Sequence, residues 1–365
     1  MTPDLPAEHD TPLGRLLATE IAAAGPMPCA RFMALCLGHP QHGYYITRDP
    51  LGAAGDFTTA PEISQVFGEL IGLWIADLWT RMGAPDRFTL VELGPGRGTL
   101  MGDACRAMRL LPACLKAAQI ALVETSPTLR KAQAETLARH APGKQPDWFD
   151  RVEELPEDAP LIVIANEFFD ALPVAPHRWS GSDWHEWQIG LAPEQGFVIG
   201  QSPDPTPLPH APTAKATGDV FELAETSAAV MSTLASKIAR STGAALIIDY
   251  GHPQTSIGET VQALHRHAQV PLLHRPGQSD LTAHVDFALL AAVATNHGLI
   301  AAPLLTQAHF LASLGLQQRA EQLIAGKPAE QAADIASRIN RLVDPTQMGA
   351  LFKALTVASD GLQSE

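Results

Sequence analysis

The chain has 365 residues, 46% of them hydrophobic, long enough to bury one large core or a core with an appended subdomain. Its 25 Lys and Arg stand against 39 Asp and Glu, a formal net charge of −14. That balance argues against a nucleic-acid partner and suits a cationic substrate, although acidity also serves solubility. No apolar run approaches the length of a membrane span, and Cys29, Cys36, Cys105 and Cys114 form neither a Cys-x-x-Cys pair nor a disulfide framework. The acidic, Pro-rich start MTPDLPAEHD has neither signal-peptide nor transit-peptide character, so a cytoplasmic location is expected.

Apolar positions at helical spacing from Leu13 to Leu37, interrupted at Gly25-Pro26-Met27-Pro28, predict two short helices joined by a turn. A loop, His39–Pro61, follows with HGYY at 42–45 and runs into GDFTTAPE at 55–62. It is too long and too aromatic for a plain connector. We expect a substrate-facing lid carrying His42, Tyr44, Tyr45, Asp56, Phe57, Thr58, Thr59 and Glu62. Asp56, Thr58 and Thr59 also suit a turn and cap before a helix starting near Pro61. From Ile63 to Met82, Val66, Phe67, Leu70, Ile71, Trp74 and Leu78 predict a helix with a broad apolar face.

Phe88–Leu100 (FTLVELGPGRGTL) joins an apolar strand to a three-glycine turn and a helix, an order that delivers a ligand to a helix N-terminus. Gly94, Gly96 and Gly98 follow G-x-G-x-G spacing, and the G-x-G-x-x-G of dinucleotide sites is absent. Glu92, at the strand's carboxyl end, repels a pyrophosphate and attracts an ammonium group. Gln119–Glu124 reads as a second strand, its terminal acid placed for the hydroxyls of a ribose. The two acids favour S-adenosylmethionine over NAD; without them the glycines imply only a tight connection.

Trp148–Phe149 reads as a third strand and Leu161–Ala165 as a fourth, giving a doubly wound α/β sheet. Ligands in such sheets lie beyond the strands' carboxyl ends, here Asn166-Glu167-Phe168-Phe169-Asp170. Glu167 and Asp170 suit a paired clamp on a planar guanidinium, with Asn166 beside them as a catalytic and cofactor-binding candidate. Equally, the segment suits a helix start with Asn166 as cap. Trp179–Gly200 predicts an inserted β-hairpin and Ser202–Pro212 a connector. Helix Ala224–Arg240 then leads to a fifth strand, Ala244–Tyr250. Helical segments at Val285–His297 and Leu316–Ala325 and an apolar stretch near Met348–Val357 complete the sheet. His265 and His267 have metal-pair spacing without an acidic or cysteine partner, so no metal is expected. His284 and Asp286 read as a helix start with Asp280 and Thr282 as capping groups. The expected divisions are 1–85, 86–178, 179–223 and 224–365.

The motifs GHPQHGYY, GDFTTAPEISQVFGE, VELGPGRGTLMGD, NEFFDALPV, IDYGH and DLTAHVDF, in this order over nearly the whole chain, resemble the MidA-like family. The resemblance implies a class I methyltransferase fold with added N-terminal helices and an inserted β-hairpin subdomain. It also implies S-adenosylmethionine-dependent symmetric dimethylation of a protein arginine, in a subunit of respiratory complex I. By position, Gly94, Gly96, Gly98 and Glu124 match the family's cofactor residues, and Asn166, Glu167 and Asp170 its post-strand signature. The catalytic roles given to those three rest on charge and placement. Alternatives are a small-molecule methyltransferase and a non-catalytic assembly chaperone with the same fold.

Overall fold

The structure, a computed structural model, describes residues 5–47 and 58–362; Asp56 and Phe57 of the expected lid lie outside the described residues. The chain divides into two compact units with interleaved segments. Met1–Phe57, Asp170–Ala229 and His252–Ala288 form the first, and Thr58–Phe169, Val230–Gly251 and Leu289–Glu365 the second.

In the second unit, a short helix α1 (Ala60–Ile63) precedes α2 (Gln65–Arg81). Then come β1 (Phe88–Leu93), α3 (Thr99–Met108), β2 (Ala118–Val123), α4 (Pro127–His140), β3 (Asp147–Phe149) and β4 (Leu161–Asn166). After an excursion through the first unit the chain returns as β5 (Gly243–His252), β6 (Ile300–Ala301) and β7 (Phe352–Ala358). Strand order is β6-β7-β5-β4-β1-β2-β3. From β5 to β3 all neighbours are parallel, while β7 runs antiparallel to β5. Every residue of β1 and β4 is buried, as strands covered on both faces require, which is why they read as continuous apolar runs.

Side chains alternate across a sheet, so Leu90, Ile120, Leu122, Ile162, Ile164, Leu246 and Ile248 share the face that packs on α2 and α3. Those two helices meet through small residues. A Cβ on Gly68 would stand 2.6 Å from Cβ of Asp103, and one on Gly72 2.5 Å from the Ala104 carbonyl oxygen. Glu69, between these glycines and 6% exposed, accepts from Arg106 and Arg319 at 2.9 and 2.8 Å, which offsets the cost of burying its charge.

The first unit contains the two predicted N-terminal helices, at Pro12–Ala24 and Cys29–Gly38. Thr11 caps the first of them by accepting from the Gly14 N–H at 2.9 Å. Met27–Pro28, between the helices, is the edge of an antiparallel sheet with Trp184–Ala192, Ala175–Trp179 and Val220–Leu223, and the predicted hairpin is Trp184–Ala192 with Gly196–Gln201. Asp280–Thr282 is a strand paired with Gln262–Leu264 rather than a set of helix caps.

One further expectation is corrected. No helix follows β4, because the chain turns at Asn166–Phe169 and enters the first unit, so Asn166 caps nothing. The apolar stretch near 348–357 completes the sheet as expected, a helical turn at Met348–Leu351 leading into β7, which pairs with β5. Ala329–Val343 is an additional helix, buried only at Ile339 and Leu342.

Candidate active site

The glycine turn between β1 and α3 holds Gly94, Gly96 and Gly98 at φ of +58°, +53° and +77°, a backbone region that disfavours any side chain. At two of these positions protein fills the space a side chain would need. A Cβ on Gly94 would stand 3.1 Å from Cδ2 of Phe168, and one on Gly98 3.2 Å from Cα of Gln133. The turn is therefore packed from both sides by Phe168 and α4.

Three predicted cofactor residues share one face of the sheet at its carboxyl edge. Glu92 is in register with Leu122 and Ile164, so Asn166, two residues beyond Ile164, projects to the same side. Glu124, two beyond Leu122, extends the β2–β3 ladder through its N–H to the Phe149 carbonyl at 3.0 Å. Glu92 is 3% exposed; burial pushes its carboxyl up to about 8, against the Met101 N–H, which stabilises the ionised form. Among the described residues, Oε2 of Glu92 and Oδ1 of Asn166 are buried acceptors with no hydrogen-bond partner.

Glu124 is buried too. Its Oε1 accepts from the Ser126 N–H at 2.7 Å and its Oε2 from Nε2 of Gln133 at 3.1 Å. Burial raises its pKa, and these bonds oppose the rise. Nε2 of Gln133 also donates to the Gly96 carbonyl at 2.8 Å.

Beyond β4 the backbone is held by Asp249, fully buried at the end of β5. Its Oδ2 accepts from the N–H groups of Phe168 and Phe169 at 3.2 and 3.0 Å, and its Oδ1 from that of Tyr250 at 2.9 Å. Within this turn Glu167 sits at φ +51°, an unusual conformation for a non-glycine residue and one that clusters at functional sites. Oε1 of Glu167 accepts from the Ala60 N–H at 3.0 Å and from Nδ2 of Asn166 at 3.3 Å.

Of the expected lid residues, Glu62 lies on α1, where it accepts from Oγ1 of Thr99 at 2.5 Å and approaches Arg97 of the glycine turn at 3.9 Å. Thr58 and Thr59 are half-buried just before α1; Thr59 is its N-cap residue without a side-chain capping bond.

The remaining predicted residues belong to the first unit, so Glu167 and Asp170 fall in different units. Asp170 is buried, and its carbonyl accepts from the Ala283 N–H at 2.9 Å. Tyr45 donates to Oδ1 of Asp280 at 3.0 Å; burial and the carboxylates of Asp280 and Asp170 raise its pKa. Tyr44 is fully buried and packs edge-on to Tyr45, and half-buried His42 stacks on His39, so HGYY contributes to the core of its own unit.

Gln133 and Asp249 were missed as site residues. Gln133 shares its helix face with Leu129, Thr136 and Leu137, all buried; a polar residue on an inward stripe was the available signal. Asp249 is an acid closing the apolar run AALII.

The chain matches the family model described as "Putative S-adenosyl-L-methionine-dependent methyltransferase" over residues 70–304. It is 37% identical to "Protein arginine methyltransferase NDUFAF7 homolog, mitochondrial" of Drosophila melanogaster, with 94% of this chain and 84% of that protein covered. With human "Protein arginine methyltransferase NDUFAF7, mitochondrial" it shares 34% identity over 95% of this chain and 83% of the relative. A crystal structure of a Burkholderia thailandensis protein bound to S-adenosyl-homocysteine superposes with a TM-score of 0.81 at 27% identity, covering 99% of this chain and 96% of that one. The fold is that of a class I methyltransferase. The cytoplasmic expectation is corrected by these relatives, whose names place them in mitochondria. Among the described residues no helix is long and apolar enough to cross a membrane.

Proposed function

Since the chain belongs to the MidA-like family of S-adenosyl-L-methionine-dependent methyltransferases, we propose that it methylates arginine on a protein substrate, with the cofactor held along the carboxyl edge of β1, β2 and β4. One observation carries the reading: Glu92, Glu124 and Asn166 lie on one face beside the glycine turn, and two of them present buried acceptor atoms with no partner among the described residues. These residues fit the cofactor. Glu92 and Oδ1 of Asn166 suit its ammonium, and the Glu124 carboxylate, already aligned by the Ser126, Thr125 and Gln133 donors, suits the ribose hydroxyls. S-adenosylmethionine supplies the electrophilic methyl group.

The chain's own contribution is placement and proton handling. Asp249 fixes the turn that carries Glu167 and seats Phe168 on Gly94. Glu167, aligned by Asn166 and Ala60, accepts N–H groups of the guanidinium. An arginine is charged at every working pH, so its nitrogen must shed a proton as it gains a methyl group, and Glu167 is the carboxylate assigned to receive it. Glu62, on α1 beside the glycine turn, is assigned to the substrate side. The relatives are named as protein arginine methyltransferases, which supports arginine over a small-molecule nucleophile. Symmetric dimethylation, and a complex I subunit as substrate, are the finer assignments that the family likeness suggests.

The test is to incubate the protein with isotopically labelled S-adenosylmethionine and a lysate of cells lacking it, then locate label by mass spectrometry. Label on arginine supports the proposal. Label confined to small molecules favours the other methyltransferase reading, and no transferred label at all favours a chaperone.

A further inference from the structure

Gln133 is fully buried on α4, and its amide makes three hydrogen bonds. Oε1 accepts from the indole N–H of Trp148 at 2.8 Å, while Nε2 donates to the Gly96 carbonyl at 2.8 Å and to Oε2 of Glu124 at 3.1 Å. An indole nitrogen can only donate, and a carbonyl and a carboxylate can only accept. Trp148 therefore fixes which end of the amide faces the turn. Gln133 also fills the space a Cβ on Gly98 would need, so this residue backs the glycine turn while its amide bonds to the Gly96 carbonyl and to the acid beyond β2.

We propose that Gln133 is the positioning residue for the nucleoside half of the cofactor, tying the Glu124 carboxylate to the glycine turn so that both meet the ribose as one rigid acceptor. The inference rests on the S-adenosylmethionine reading and adds to it a residue outside the glycine turn and the strand-end acids. Ser126 holds Oε1 and Gln133 holds Oε2, with the Thr125 N–H a further donor, which aligns the carboxylate and still leaves an acceptor direction for a hydroxyl. These donors also favour the ionised carboxylate against the effect of burial. An apolar residue of the same length would lose both donated bonds. A carboxylate there would set oxygen against the Gly96 carbonyl and Glu124.

Two variants test the assignment by calorimetric titration with S-adenosylhomocysteine and its 2′-deoxy analogue. Gln133→Met should weaken S-adenosylhomocysteine about tenfold and weaken the deoxy analogue less, shrinking the preference for the ribose ligand. Gln133→Glu keeps the shape and reverses the polarity. The ratio of its dissociation constant to that of the wild type should grow with rising pH as the introduced carboxyl, held up by burial beside the Glu124 carboxylate, loses its proton. This second signature stands even where Gln133→Met does not fold, and a purely structural role would not produce it. Variants that bind both ligands like the wild type, or lose the same factor for both at every pH, overturn the assignment while leaving the cofactor reading intact. A wild-type protein that does not bind S-adenosylhomocysteine overturns both.

Discussion

Replacing Glu92 by Gln probes the most strongly perturbed acid of the candidate site. The carboxyl is 3% exposed, and burial moves its pKa from 4.5 to about 8. Between those values the folded chain holds a proton that the unfolded chain has released, so stability falls as pH rises, by ~1.4 kcal/mol per pH unit, and levels off above the folded value. At pH 7 the accumulated loss is roughly 3 kcal/mol. Glu92→Gln keeps the shape of the neutral acid and an acceptor for the Met101 N–H, and it removes the titration. Urea unfolding of both proteins at several pH values should show the variant gaining on the wild type by about 1 kcal/mol per pH unit from about pH 5 to about pH 8. A cofactor ammonium brought against Glu92 stabilises the charged form. Wild-type binding of S-adenosylhomocysteine at pH 7 should therefore release close to one proton, read by calorimetry in buffers of unlike ionisation enthalpy, and the variant should release none. Parallel stability curves would refute the claim that burial governs this carboxyl.

Substitutions at three other positions separate scaffold from site. Gly72→Ala sets a Cβ 2.5 Å from the Ala104 carbonyl oxygen and 2.8 Å from its Cα, so α2 and α3 must part. Its unfolding free energy should drop by about 1–3 kcal/mol, measurable by denaturant titration. Asp249→Ala strips the acceptor from the N–H groups of Phe168, Phe169 and Tyr250. We expect a loss of roughly 2–5 kcal/mol and weakened cofactor binding, with partial recovery in Asp249→Asn, which still offers one carbonyl oxygen. Glu167→Ala should lower methyl transfer at least about a hundredfold while S-adenosylhomocysteine affinity stays within about twofold of the wild type. Equal losses in both would remove Glu167 from the substrate side.

The strands of the cofactor half were legible because sequence periodicity records burial. FTLVEL and LIVIAN are mostly apolar because both faces of the sheet are covered, and a glycine turn after the first admits little besides a strand-to-helix bend. The helix at 329–343 was not read, since only Ile339 and Leu342 are buried and so narrow a stripe leaves little pattern. Asn166 looked like a cap because a helix follows most strands of a doubly wound sheet; here the first unit is inserted at that point, which no local propensity encodes. The same insertion puts Glu167 and Asp170, three positions apart in sequence, in different units. Glu92 and Glu124 are assigned from their place at strand ends. Gln133 and Asp249 act through backbone groups and other side chains, and the partners that reveal them are distant in sequence.

The central claim is that a sulfonium nucleotide lies on the glycine turn with its ribose on Glu124. Calorimetric titration of S-adenosylhomocysteine into the wild type and Glu124→Ala addresses it most directly. The account predicts one site per chain in the wild type and an affinity loss of at least about tenfold in the variant, as expected for removing charge-assisted hydrogen bonds. Undetectable binding by the wild type, or equal affinity in the two proteins, would contradict it.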